Sequence, residues 1–368
     1  MFFKEIVGQQ DIVQKLRNSF TNGRLGHATL LAGKEGHGCL PITLAMSRYI
    51  MCRERSEEDA CGECPSCKKF DKLVHPDVHF IFPVVNKKGK DPVSDSYLVE
   101  WRKFLLATPY ATSNDWIREI ATENSKGTIY KDESDLINRK LSMKSFEGYH
   151  KIMIIWMAEK MNDVTANKIL KILEEPPQNT YFFLIAAQPE QLLQTILSRT
   201  QIVNIPPIDI AEVANYLSAK YQIDSAKATD LAFFAEGDLA RSIELFDKVD
   251  ELQQNIENFN KFIQLSKNEQ TVEIWDFINT QLDRGMNSYI EFLSYITHNI
   301  RRNIIETVAP SDNKILSDSA TSAVKLDINF QQARAIYKLL NDAIYHIERN
   351  VYPQLVLFDV SLQLKKML

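Results

Sequence analysis

Glycine is scarce in this chain. Only 12 of 368 residues are glycine, against the roughly 7% common in proteins, and with the many long amphipathic stretches this points to a helix-rich chain. A charge surplus is also missing, since 43 Lys and Arg face 48 Asp and Glu for a net charge of −5. A protein that grips DNA alone carries a basic excess, so any nucleic-acid contact here is local or shared with partners. No run of 18 apolar residues occurs, which leaves no candidate membrane span. The opening "MFFKEIVGQQDIV" places Lys4 and Glu5 inside the only early apolar stretch, which argues against a signal peptide. Cysteine is confined to five positions, four of them clustered. That usage suits a metal site in a reducing, cytoplasmic setting and not a disulfide framework. Internal repeats and low-complexity tracts are absent as well, and the length leaves room for two or three domains.

A further absence lies in "LLAGKEGHGCLPITLA", residues 30–45. It follows the phosphate-loop pattern G-x-x-x-x-G-K-[ST] with Gly33 and Gly38 at the glycine positions and Gly36 between them. Cys39 stands in place of the lysine and Leu40 in place of the hydroxyl residue. Such loops cradle phosphates with backbone N–H groups, reach them with the lysine and hold Mg²⁺ with the hydroxyl. Two of those three devices are gone, and Lys34 sits on the wrong side of the turn to replace the lysine. The expectation is a retained fold without hydrolysis and without a nucleotide of its own.

The apolar strand "HKIMIIWMAE" at 150–159 carries a second loss. A working ATPase of this layout closes such a strand with an Asp–Glu pair, for Mg²⁺ and the attacking water. Trp156 and Met157 occupy those positions, and an indole and a thioether can do neither job.

Elsewhere short apolar segments at 28–32, 77–85, 180–188 and 201–208 read as strands, with helices starting near Pro41 and covering 162–177 up to Pro176–Pro177. Helical patterns also appear in "SYLVEWRKFLLA" and "DLINRKLSM" within the polar, mixed stretch 86–150. Fully apolar strands alternating with helices imply an α/β fold with a parallel sheet covered on both faces. After Pro207 everything reads as helix. The expected layout is an α/β module over 1–207, a helical lid over 208–248 and a helical domain over 249–368.

Cys52, Cys61, Cys64 and Cys67 give C-x8-C-x2-C-x2-C, a spacing that suits tetrahedral Zn²⁺ in a closed structural site. His75 and His79 are near but superfluous to four thiolates. In "LSRTQ", Ser198 and Arg199 follow a strand. Position alone makes Arg199 a solvated loop arginine, although an arginine there can also reach a neighbour's γ-phosphate. Arg241 in "GDLARS" packs or pairs at a subunit boundary if the loop is dead.

Taken together, "VGQQDIVQKLRNSFTNGRLGHATLLAG", the cysteine insertion followed by "HPDVHFIFP", "ANKILKILEEPPQNTYFFLIAA", "ILSRTQ" and the helical tail resemble the delta-prime subunits of bacterial DNA polymerase III clamp loaders. The resemblance covers nearly the whole chain. It implies an AAA+ module with a zinc insertion at 52–67, a lid, and a collar that holds a five-subunit ring. It implies partners in gamma/tau-like ATPase subunits and a delta subunit, with the sliding clamp and primer-template DNA met through the complex. It also implies that Arg199, with Ser198 beside it, completes an ATP site on an adjacent subunit. The family's loop usually reads S-R-C, and here Thr200 replaces the cysteine while the arginine that supplies the charge remains. Two other readings stay open: an active AAA+ ATPase subunit using Lys34, and a zinc-stabilised nucleic-acid adaptor.

Overall fold

The computed structural model describes all residues except 88–90, 122–124, 148, 269, 281, 283–285, 309–325, 327 and 368. It comprises two compact units. The first is Met1–Tyr216 with Glu236–Arg241, and the second is Leu217–Ala235 with Ser242–Leu368.

In chain order the first part holds α1 (Gln10–Thr21), β1 (Ala28–Ala32), α2 (Cys39–Met51), α3 (Pro65–Asp71), β2 (Val78–Ile81), α4 (Leu98–Ala107), α5 (Ser113–Ile120), α6 (Asp132–Ser142), β3 (Lys151–Trp156), α7 (Asp163–Glu174), β4 (Thr180–Ala186), α8 (Gln194–Leu197) and β5 (Gln201–Asn204). Helices α9 (Ile210–Tyr221), α10 (Ser225–Phe234), α11 (Leu239–Asp247), α12 (Val249–Lys267), α13 (Thr271–Thr280), α14 (Met286–Val308), α15 (Phe330–Glu348) and α16 (Pro353–Met367) follow.

Every residue of β1 and β3 is buried, as continuous apolar runs require in a sheet covered on both sides. The five strands are all parallel in the order β2-β3-β4-β1-β5. β4 therefore lies between the loop-bearing β1 and β3, with Ala28 beside Phe182 and Ile154 beside Phe183.

The strands end earlier than their apolar runs. β3 stops at Trp156 because Met157 turns left-handed at φ 55°. β5 stops at Asn204, just before Pro206 and Pro207 remove two donors. Beyond β2, Phe82 leaves the ladder to bond the Ser94 hydroxyl at 3.0 Å. α7 opens on Asn162, whose side chain accepts from the Thr165 N–H at 2.8 Å, and closes before Pro176.

Among the described residues of 86–150 there are three α-helices, of which α5 has no apolar periodicity long enough to announce it. Thr112 and Asp115 start it as a capping box. α4 and α5 deliver Trp101, Phe104 and Trp116 onto Phe82 and Trp156, with Trp101 and Phe82 stacked at 4.1 Å. In the second unit, α15 packs on α14 and α16 around buried Phe259, Phe262, Phe292, Ile336, Leu340 and Leu357.

Candidate functional site

At the C-terminal edge of the sheet, β1 runs into the glycine loop. The Gly33 N–H extends the ladder to the Ala186 carbonyl at 3.1 Å. A Cβ on Gly33 would lie 2.6 Å from the Ile205 carbonyl oxygen, so only glycine lets the loop leave the sheet here. Gly36 has φ +80°, and a Cβ there would collide with the Asp238 carboxylate. The Leu239 N–H also bonds the Gly36 carbonyl at 3.2 Å, tying the loop to the start of α11.

The loop retains its shape while its chemistry is replaced. Cys39 is buried, its thiol lies 3.7 Å from the Gly33 carbonyl, and burial pushes it up to about 12. It is therefore a neutral group where a phosphate loop has a cation. Leu40 is buried and Lys34 is exposed. Trp156 and Met157 are both buried at the end of β3, packed into the space that an acidic pair and its water need. Pro109, Tyr110 and Ala111 close the site from the other side, with the Tyr110 hydroxyl accepting from the Val7 N–H at 2.8 Å.

What remains is a cavity of about 20 Å³, room for about one water, where small-molecule sites measure roughly 300–1,000 Å³. Lys34 and Glu35 both line it, and two further acids, Glu159 and Asp238, act electrostatically on Glu35. Glu35 holds the Ser113 N–H and hydroxyl at 2.7 Å each. Glu159 accepts from the Ala187 N–H at 2.9 Å. Burial raises the carboxyls of Glu35, Glu159 and Asp238, and at Glu35 the other two raise it further. Sequence reading missed these closing groups. Only Glu35 lies inside the motif, whereas Tyr110, Glu159 and Asp238 arrive from distant segments.

Arg199 stands at the opposite edge. Gln201 pairs with Thr29 on β1, which puts Arg199 level with residue 27. Gly33 lies six residues further along, about 20 Å at the strand rise. Arg199 is fixed by Nη1 donating to the Thr195 carbonyl at 2.9 Å and approaching the Ser198 hydroxyl at 3.4 Å. Its Nη2 pairs with the Glu174 carboxylate. Ser198 donates its own hydroxyl to Thr195 at 3.1 Å. These groups border an open cleft of about 440 Å³, with His27, Leu173 and Gln201 on its walls. Arg241 is exposed in the first turn of α11, its backbone N–H donating to Asp238 at 2.9 Å.

The third constellation is the cysteine cluster. α2 delivers Cys52 at its end, the turn with Gly62 delivers Cys61, and α3 begins after Cys64 with Cys67 in its first turn. All four sulfurs lie within 4.8 Å of one another, with Cys52 to Cys61 at 3.5 Å and Cys61 to Cys67 at 4.0 Å. Four sulfurs about 2.3 Å from one tetrahedral ion stand about 3.8 Å apart, so the thiols fit one metal. Backbone N–H groups of Cys61 and Cys64 point at the sulfurs of Cys52 and Cys61, at 3.3 and 3.4 Å, as thiolate charge favours.

Burial pushes the Cys52 and Cys67 thiols up. At Cys64 burial acts the same way, but N–H groups of Cys67 and Arg53 together with the thiols of Cys67 and Cys61 outweigh it and bring the thiol to about 7. A divalent ion would hold all four as thiolates. His75 instead faces Glu147 at 3.6 Å, and burial lowers His79 to about 4. Neither histidine belongs to the four-sulfur group.

A parallel five-stranded sheet whose first strand runs into a glycine loop with Cys39 at the lysine position, and a four-cysteine insertion beside it, define a class: an α/β module of the phosphate-loop type with a candidate metal site. The family described as "DNA polymerase III, delta subunit" matches residues 8–209. Similar proteins include DNA polymerase III subunit delta' of Bacillus subtilis (strain 168), 30% identical over 54% of this chain and 48% of that one. The namesake from Escherichia coli (strain K12) is 29% identical over 53% and 46%. The tau subunit of E. coli K12 is 24% identical over 67% of this chain and 32% of its own length. The chain spans about half the length of the delta' relatives it matches. It belongs to the delta-prime family of DNA polymerase III subunits.

Proposed function

We propose that this chain is a non-hydrolysing subunit of a clamp-loader complex, which lends Arg199 to the ATP site of a neighbouring gamma/tau-like subunit while the sliding clamp is placed on primed DNA. The observation that carries this reading is the separation of parts along β1. The chain's own loop is filled at one end, and a fixed, partly exposed arginine borders an open cleft at the other, about 20 Å away by strand rise. Arg199 cannot serve its own loop at that distance, and its exposed pairing with Glu174 leaves it within reach of a neighbour's phosphate at the cleft. In this reading Ser198 helps hold the guanidinium, and ATP binds only at the neighbour's site. Zinc in the cysteine cluster is structural. Residues 1–207, 208–248 and 249–368 act as module, lid and collar. A delta subunit completes the ring, DNA and clamp are met through it, and the setting is the bacterial cytoplasm. Among the described residues no helix is long and apolar enough to cross a membrane.

The test is clamp- and DNA-stimulated ATP hydrolysis by the assembled complex. Arg199→Ala should lower it well over tenfold without releasing the subunit; in-trans arginines supply roughly 10³–10⁵ in related phosphoryl transfers. Arg199→Lys should not restore it, because an ammonium lacks the planar fork. Unchanged hydrolysis in an intact Arg199→Ala complex would sink the reading. Hydrolysis by the chain alone, abolished by Lys34→Ala, would support an active ATPase instead.

A further inference from the structure

Glu174 is the last residue of α7, where the helix dipole disfavours a carboxylate. Its place is nonetheless rigidly set. Leu173 is buried beside it, and the Leu173 carbonyl meets His27 Nε2 at 2.9 Å, pinning the helix end to the start of β1. Pro176 and Pro177 restrict the chain that follows. The carboxylate so placed meets Nη2 of the Arg199 guanidinium, while Thr195 and Ser198 engage Nη1. The two side chains are 49% and 32% exposed on the wall of the same cleft, so an incoming group can reach both.

We propose that Glu174 is a latch on Arg199. It neutralises the guanidinium while the neighbouring site lacks a triphosphate, and gives it up when the more highly charged γ-phosphate arrives. The inference rests on the reading of Arg199 given above and names the regulation of that same residue. Glu174 acts through Arg199 and touches no reacting atom, so it is a positioning residue. An exposed ion pair of this kind shifts an equilibrium by no more than about fivefold. That is enough to bias the arginine against an empty site and too little to withhold it from a filled one.

The experiment uses the whole complex with wild-type chain, Glu174→Gln, Arg199→Ala and the double variant, measuring KM for ATP and kcat separately. Glu174→Gln keeps the size of the side chain at an exposed position, and an unchanged melting temperature checks that the fold survives. The expected result is a KM two- to fivefold lower for Glu174→Gln with kcat unchanged, a difference that shrinks as salt rises. The double variant should match Arg199→Ala. An unchanged or raised KM, a lowered kcat, or the same KM shift in the Arg199→Ala background would each overturn the latch. If Arg199→Ala alone leaves hydrolysis intact, the reading of Arg199 fails with it, so the two failures are told apart.

Discussion

Glu133 shows what a single residue can hide from its sequence context. It sits among Asp132 and Asp135 in an acidic first turn, where a solvated carboxylate favours the helix dipole. In the fold it is fully buried, with one oxygen accepting from the Ser94 N–H at 2.7 Å and the other without a partner. Burial raises its pKa from 4.5 to about 7. The folded state thus holds the proton more tightly than the unfolded chain, so the neutral form's contribution is complete below about pH 4.5 and is lost as pH rises through 7. The loss amounts to on the order of 3 kcal/mol by pH 8. Glu133→Gln should flatten the decline in stability between pH 5 and 8, read from denaturant midpoints across that range. A parallel decline in the variant would remove Glu133 as its source. Cys39 and Leu40 are the opposite case, because their types alone already exclude the cation and hydroxyl of a working loop.

At the scale of elements, the cysteine insertion is too small to bury a core of its own. Its own cluster is Cys52, Ala60, Cys64 and Cys67, and its ties to the rest include Arg17 donating to the Glu58 carbonyl at 2.7 Å. Glu147 also draws in Arg53 at 3.0 Å, together with Lys69 and His75. A bound metal in such a segment is folding energy. Native protein should contain about one zinc per chain, by elemental analysis. Cys64→Ser should lose that zinc and speed backbone hydrogen exchange around residues 50–80, while the amides of β1 and β4 stay protected. Metal-free native protein with a slow-exchanging insertion would refute the assignment. The cysteine spacing was fully legible because four ligands in sixteen residues define a local object. The role of 86–150 was not, because Trp101, Trp116 and Tyr110 acquire their meaning only against Phe82, Trp156 and Val7, which lie far away in the chain.

For the whole molecule, the filled loop carries its own expectation. A ligand at one hundred times its Kd stabilises a fold by about 2.7 kcal/mol, and a cavity of about 20 Å³ lined by Glu35, Trp156 and Met157 predicts no such gain from a nucleotide. Millimolar Mg·ATP should leave the melting of the isolated chain unchanged, and a rise of several degrees would show that the loop still binds. Much of this architecture could be read from the linear order of residues. Continuous apolar runs dictated buried parallel strands, Pro176 and Pro207 marked where α7 ends and β5 cannot continue, and the cysteine spacing defined a metal site. The missing lysine, hydroxyl and acidic pair were legible in the same way, since such groups are residue types at fixed local spacing. Only the tertiary structure decided how the vacated site was filled, that Arg199 stands at the far end of β1 from it, and that Glu174 meets that arginine. Those facts depend on strand order and register, which bring residues dozens of positions apart into contact and which no local pattern encodes.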